Sequence, residues 1–225
     1  MEVNLILPNL VNWYFPDVGK KTVLILEKLG HKVLFDPTQS YGGHYELLFG
    51  LPTAAQKLSK HLVSSYYPVK KPIVCPDGAY YYFLEKLLPT ATLAEVEIPK
   101  LRAIQKQVVE LNVFLANSPK LSSIKLPFKN IALMPQSSLQ NILHNTTSIH
   151  PFNAHQIALL NDVAPLYFDN VVETAKRDFL TYLIQDLKAD AFIDTKVIFI
   201  EQLKHTVAKH QLPIKILHFT DIINV

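Results

Sequence analysis

Short apolar runs, each closed by proline or aspartate and each followed by helical periodicity, constrain this chain more than any other feature. Residues 4–8, Asn-Leu-Ile-Leu-Pro, are the first such run and read as a buried strand. A helix is expected over 16–30, where Val18, Thr22, Ile25 and Leu29 share one face. Asp17 is placed to cap its start, and Gly30 to stop it in a left-handed turn. A second strand follows over 31–35 and ends at Asp36-Pro37. After the loop 39–43, a helical stretch runs to Tyr66 with a break at Pro52. The third strand, 72–76, leads into Asp77-Gly78 and a helix over 80–88. Strands and helices alternating at such short intervals imply a parallel sheet with right-handed crossovers.

The same grammar returns in the second half. Asn130-Ile131-Ala132-Leu133-Met134-Pro135 echoes the first strand, and residues 165–169 echo 32–36. The run 191–203 parallels 73–87, each passing from a buried strand into a helix. Between them a long helix is expected over 171–188, with Ala175, Phe179, Tyr182 and Leu183 on one side, and a last strand closes the chain over 214–219. The expected fold class is α/β, with two similar halves related by a pseudo-duplication, each a small parallel sheet flanked by helices. The expected divisions are a first half over 1–98, a connecting segment over 99–128 and a second half over 129–225.

Composition narrows the function. Hydrophobic residues make up 49% of the chain, which excludes disorder, whereas charged residues make up 18%, below the usual quarter. So thin a coat of charge implies surface covered by a second half, a protein partner or another copy. Net charge is +3, and the lysine pairs Lys20-Lys21 and Lys70-Lys71 stand alone, so nucleic acid is not expected as a partner. No apolar run reaches the roughly 20 residues of a membrane span, and the first residues lack a positive leader. With one cysteine there is no intrachain disulfide, and a cytoplasmic setting is expected. That cysteine, Cys75, lies inside the third strand and reads as a small buried apolar residue. The sequence holds no P-loop, dinucleotide fingerprint, G-x-S-x-G elbow, H-E-x-x-H or C-x-x-C.

In open parallel sheets ligands sit beyond the carboxyl ends of the strands. Those ends supply Asn9 after the first strand, Gln39, Tyr41, Gly42, Gly43 and His44 after the second, and Asp77, Gly78 and Tyr80 after the third. In the second half they supply 136–138, Asp169-Asn170 and Asp194-Thr195. Each residue alone is ordinary turn and cap chemistry. Taken together, the first-half set could receive an anion, because Gly42 and Gly43 permit close backbone approach before a helix start. His44 is the proton carrier of that set near neutral pH. The nine histidines form no metal-ligand pattern; His205 and His210, five apart on a helix, do not share a face. No metal and no cofactor are expected.

Phe15-Pro16-Asp17-Val18-Gly19-Lys20, the stretches 26–33 and 37–43, Pro76-Asp77-Gly78-Ala79-Tyr80 and the closing stretch 215–223 carry a family resemblance. The chain resembles the cysteine-rich CCG-domain family, the iron–sulfur relatives of lactate utilisation protein A and of heterodisulfide reductase. The resemblance covers nearly the whole chain, strongly to Tyr80 and more loosely after Leu126. It implies a duplicated fold, a cytoplasmic setting and partner subunits in the oxidation of lactate to pyruvate. It also implies cluster-ligating cysteines, and these are replaced. Asn9, Tyr41, Gly42 and Tyr80 stand at those positions in the first half, and Ser137 and Phe199 in the second. Phenols, an amide and a phenyl ring do not replace soft thiolates. Two functional readings follow: an accessory or scaffold protein without a cluster, and a site rebuilt at the same edge for a 2-hydroxy or 2-oxo acid, as a binding protein or an oxidoreductase subunit. A cluster shared with a partner through Cys75 is a third.

Overall fold

Four parallel strands build the first sheet: β1 (Glu2–Leu5), β2 (Lys32–Phe35), β3 (Ile73–Cys75) and β4 (Val108–Glu110), in the order β2-β1-β3-β4. They belong to a computed structural model that describes residues 1–88, 97–118, 126–134, 148–151 and 169–223. The chain divides into two compact units, Met1–Phe114 and Leu115–Asn224.

In the first unit β1 leads through α1 (Asn9–Tyr14) and α2 (Pro16–Lys28) to β2. Pro16 opens α2, where its missing N–H costs nothing. Asp17 therefore lies inside the first turn, paired with Lys20 at 3.3 Å, and does not cap the helix as expected. The buried face of α2 is Gly19, Thr22, Ile25 and Leu26. It is rotated from the expected face because Gly19 admits Leu7; a Cβ there would lie 2.9 Å from Leu7 Cδ1. The expected break at Pro52 separates α3 (His44–Leu48) from α4 (Pro52–Tyr66). After β3, α5 (Gly78–Tyr82) runs into a π-helical turn, Phe83–Leu87. Its carbonyls at Leu84 and Glu85 accept the Gln105 side-chain amide at 2.8 and 3.1 Å.

Within residues 99–128, expected to connect the halves, β4 completes the first sheet. These residues hold most of α6 (Ile98–Gln105), all of β4, and α7 (Leu111–Ala116). β4 pairs in parallel with β3, Ile73 opposite Val108. The core of this unit joins Ile6, Leu62, Val63, Tyr80, Phe83, Leu84 and Leu101.

The second unit repeats the order with β5 (Asn130–Leu133), β6 (Ser148–Pro151), β7 (Ala191–Asp194) and β8 (Lys215–His218), arranged β6-β5-β7-β8 and all parallel. The fold class is therefore as expected: two similar α/β halves, each with a small parallel sheet. One strand differs. The place of β2 is taken by Ser148–Pro151, not by 165–169; Asp169 opens α8 (Asp169–Gln185), and 165–168 lie outside the described residues. Phe179, Leu180 and Leu183 of α8 pack on Phe192 of β7 and on Phe199 and Leu203 of α9 (Val197–His210). Glu173 ties the two helices together, 3.1 Å from Lys176 Nζ and 3.3 Å from His210 Nε2, and accepts from Thr206 Oγ1 at 3.2 Å. Burial would raise its carboxyl, but Lys176, Thr206 and Lys209 together hold it below the usual range. No helix among the described residues is long and apolar enough to cross a membrane.

Candidate functional site

The carboxyl edge of the first sheet is built from three chain exits. From β1, the Leu7 N–H donates to Gln39 Oε1 at 3.3 Å, and Tyr66 at the end of α4 donates its hydroxyl to the same oxygen at 2.8 Å. Gln39 therefore clamps the exit of β1 to α4. From β2, the chain passes through Ser40, whose hydroxyl donates to the Leu58 carbonyl at 2.8 Å and accepts the Gly42 N–H at 3.1 Å. Gly42 and Gly43 then take φ of +70° and +82°. A Cβ on Gly43 would lie 2.5 Å from Ala55 Cα, so the glycine exists here to seat α4. Ser59 of α4 completes the seam, its Oγ 2.7 Å from the Gly42 carbonyl.

The close backbone approach expected for a ligand is thus used by the chain's own helix. α3 has five residues, and its first turn already carries the Glu46 carboxylate, so an incoming anion would meet a like charge. Tyr41 donates its hydroxyl to Glu46 Oε1 at 2.5 Å, and burial, then the carboxylate, push its phenol up to about 12. His44 lies with its ring centroid 4.5 Å from Phe83, 5.0 Å from Tyr45 and 6.2 Å from Tyr80. Burial pushes its imidazole down to about 4, opposed by the charge of Glu46, and its Nδ1 has no hydrogen-bond partner among the described residues.

From β3, Asp77 Oδ1 accepts the Tyr80 N–H at 2.8 Å and caps α5, while its carbonyl accepts the Cys75 thiol at 3.3 Å. Tyr80 is 1% exposed, stacked on Phe83 at 5.8 Å, and its hydroxyl has no partner among the described residues. Burial raises the Tyr80 phenol and the Cys75 thiol well above their ordinary values. Tyr41, His44, Asp77 and Tyr80 therefore meet in one aromatic cluster, with Gly78 buried at the start of α5. Asn9 opens α1 and is not part of it.

Sequence reasoning missed Tyr45, Glu46, Phe83 and Tyr66. Phe83 lies three residues after Tyr80, a spacing that places both on one helical face. Of the second-half positions, Ser137 lies outside the described residues, as do 136 and 138. Phe199 belongs to the apolar core, 5.9 Å from Phe179 and 6.0 Å from Phe192, and faces no polar edge. Asp194 ends β7, its Oδ1 accepting the Thr195 and Lys196 N–H groups at 2.6 and 3.1 Å. Its Oδ2 has no partner among the described residues, and burial raises its carboxyl. His218 accepts the Thr220 N–H at Nδ1, so its Nε2–H donates to the Thr195 carbonyl at 3.0 Å and locks the ends of β7 and β8 together.

An iron–sulfur cluster does not fit these residues. The single thiol is 0% exposed and engaged with Asp77, and Tyr80 fills the neighbouring space. No three His, Cys, Asp or Glu side chains among the described residues are grouped to hold a metal ion. His144 and His155 lie outside those residues, and His150 lies in β6.

No family model matches the chain. It is similar to Lactate utilization protein A of Halalkalibacterium halodurans, 29% identical over 127 residues, which is 55% of this chain and 50% of that protein. The match thus spans about half the length of that relative, and the relationship is distant. Among solved structures, an aspartate racemase homologue from Pyrococcus horikoshii OT3 overlaps 98% of this chain and 94% of its own. Its identity is 9% and its TM-score 0.39, too distant to carry an argument.

Proposed function

We propose that this chain is a cluster-free relative of Lactate utilization protein A, descended from the same duplicated scaffold, that acts in the cytoplasm as an accessory protein binding a protein partner. The observation that carries this reading is the closed carboxyl edge, where Tyr80, Phe83 and His44 fill the space beyond β3. The connections leaving the sheet at that edge also carry large exposed apolar side chains. Trp13 and Tyr14 on α1 are 68% and 70% exposed, and Phe49, Leu51 and Tyr82 are about half exposed. A scaffold with its ligand edge packed shut and its exits rimmed by aromatics suits docking better than turnover.

Two measurements test it. Anaerobically purified protein is expected to be colourless; stoichiometric iron with a broad band near about 400 nm would sink the cluster-free half. Photocrosslinkers at Tyr14 and Tyr82 in the native host are expected to capture one protein in common. The Trp13→Ser variant should weaken that protein's binding to the purified chain by about tenfold. Absence of a common product, or unchanged affinity in Trp13→Ser, would sink the docking half.

A further inference from the structure

Away from the aromatic cluster, a cavity of about 580 Å³ opens over one face of β1 and β2, within the roughly 300–1,000 Å³ of organic ligand sites. Val3 and Leu5 turn to one face of β1 and are buried there, so Asn4 turns to the other. Parallel pairing sets Asn4 beside Leu34, and both line the cavity. An asparagine is out of place there, because interior strands of parallel sheets are normally apolar throughout. Its backbone N–H donates to the Pro72 carbonyl at 2.8 Å, while its carboxamide has no protein partner among the described residues. A polar group built into a strand interior and facing a cavity points to something bound.

The charges around the cavity are asymmetric. Lys70 and Lys71 line it near the start of β3, whereas Asp36 lines it beyond the end of β2, the opposite end of a parallel sheet. Glu2 is shared by Lys71 at 2.6 Å and Lys32 at 2.8 Å, so one carboxylate answers two ammonium groups. Lys70 is exposed and has no ion pair among the described residues. The lysine end therefore carries surplus positive charge, the Asp36 end is negative, and Leu34, Tyr66 and Val69 supply apolar wall between them.

We propose that this groove binds a small organic monocarboxylate, its carboxylate held by Lys70 and the Asn4 carboxamide and its apolar body against Leu34, Tyr66 and Val69. Asp36 disfavours a second carboxylate at the far end. The site shares only Tyr66 with the interactions at the carboxyl edge, so it stands or falls independently of the accessory reading.

The test is amide-resolved NMR titration of the full chain with octanoate and 2-naphthoate, against octanedioate and octylamine as controls. The monocarboxylates are expected to shift amides of 3–5, 33–36 and 65–71, with dissociation constants of about a millimolar or tighter. Lys70→Gln and Asn4→Leu should each weaken binding about tenfold, the loss of one charge-assisted hydrogen bond, with Lys70→Gln keeping the wild-type unfolding midpoint. Shifts elsewhere only, equal binding of octylamine or octanedioate, or undiminished affinity in Lys70→Gln would each overturn the proposal.

Discussion

His44 is held against Phe83 and Tyr45, its Nδ1 has no partner among the described residues, and burial pushes its imidazole from the ordinary 6.5 down to about 4. The unfolded chain, with water around every histidine, binds a proton at this residue near about pH 6.5. Between those two values the unfolded state carries more protons than the folded one, so stability rises with pH across the window and is lost as pH falls through it. The full gap corresponds to roughly 3 kcal/mol, of which about 2 kcal/mol is gone by about pH 5. That is a large part of the stability of a typical domain, so acid should open this unit early. The assay is urea unfolding from about pH 7 to about pH 4, wild type against His44→Phe, which keeps an aromatic ring and cannot titrate. The other eight histidines are common to both proteins and cancel in the difference. The wild-type curve is expected to fall more steeply by about 2–3 kcal/mol over that range. Parallel curves would mean that His44 is solvated when folded, and the packed-edge account would fail with it.

Three further outcomes follow from the same geometry. Tyr80→Phe removes a buried hydroxyl that has no partner among the described residues, so the unfolding free energy should stay unchanged or rise by up to ~1 kcal/mol; a clear loss of stability would reveal a partner for the hydroxyl. Gly43→Ala forces a Cβ to within 2.5 Å of Ala55 Cα at a left-handed φ, and should cost roughly 3 kcal/mol or more by thermal unfolding; a fully stable variant would refute the seam. Glu173→Gln leaves the mostly buried Lys176 ammonium without its counter-charge and should cost roughly 2 kcal/mol at neutral pH. An unchanged midpoint would show that the α8–α9 network adds nothing.

The strands were legible where an apolar run ended in proline or aspartate, as at 31–36, 72–76 and 191–194, whereas the first, expected at 4–8, lies two residues earlier at Glu2–Leu5, where pairing with Lys32–Phe35 sets its register. β4 was not legible, because Val108-Val109-Glu110 is three residues long, follows a helix closely and ends on a charge. β6 is hidden in the sequence for a different reason: Ser148-Ile149-His150-Pro151 has one apolar residue before its proline, whereas 165–169 copies the lettering of β2. Pairing partners, not local pattern, decide such short strands. At the site, Gly42-Gly43 was readable as backbone in a special conformation. What approaches that backbone was not, since Ala55 and Ser59 arrive from a helix whose placement no local spacing encodes.

Protein interiors are close-packed, and the space beyond β3 is occupied by side chains. Tyr80, Phe83 and His44 fill it, and two buried polar atoms there, the Tyr80 hydroxyl and His44 Nδ1, have no partner among the described residues. Each costs about 1–3 kcal/mol relative to a bonded group, so the cluster is not tuned for stability alone. The exposed aromatics on the same chain exits behave differently, because single apolar side chains at a surface cost a fold little. Stability and docking should therefore separate by position. Variants inside the cluster move the unfolding free energy, whereas Trp13→Ser and Tyr82→Ser should leave it within about 0.5 kcal/mol while weakening partner capture. If the rim variants unfold the chain as readily as Gly43→Ala does, the aromatics are part of its core and the docking face is lost as an idea.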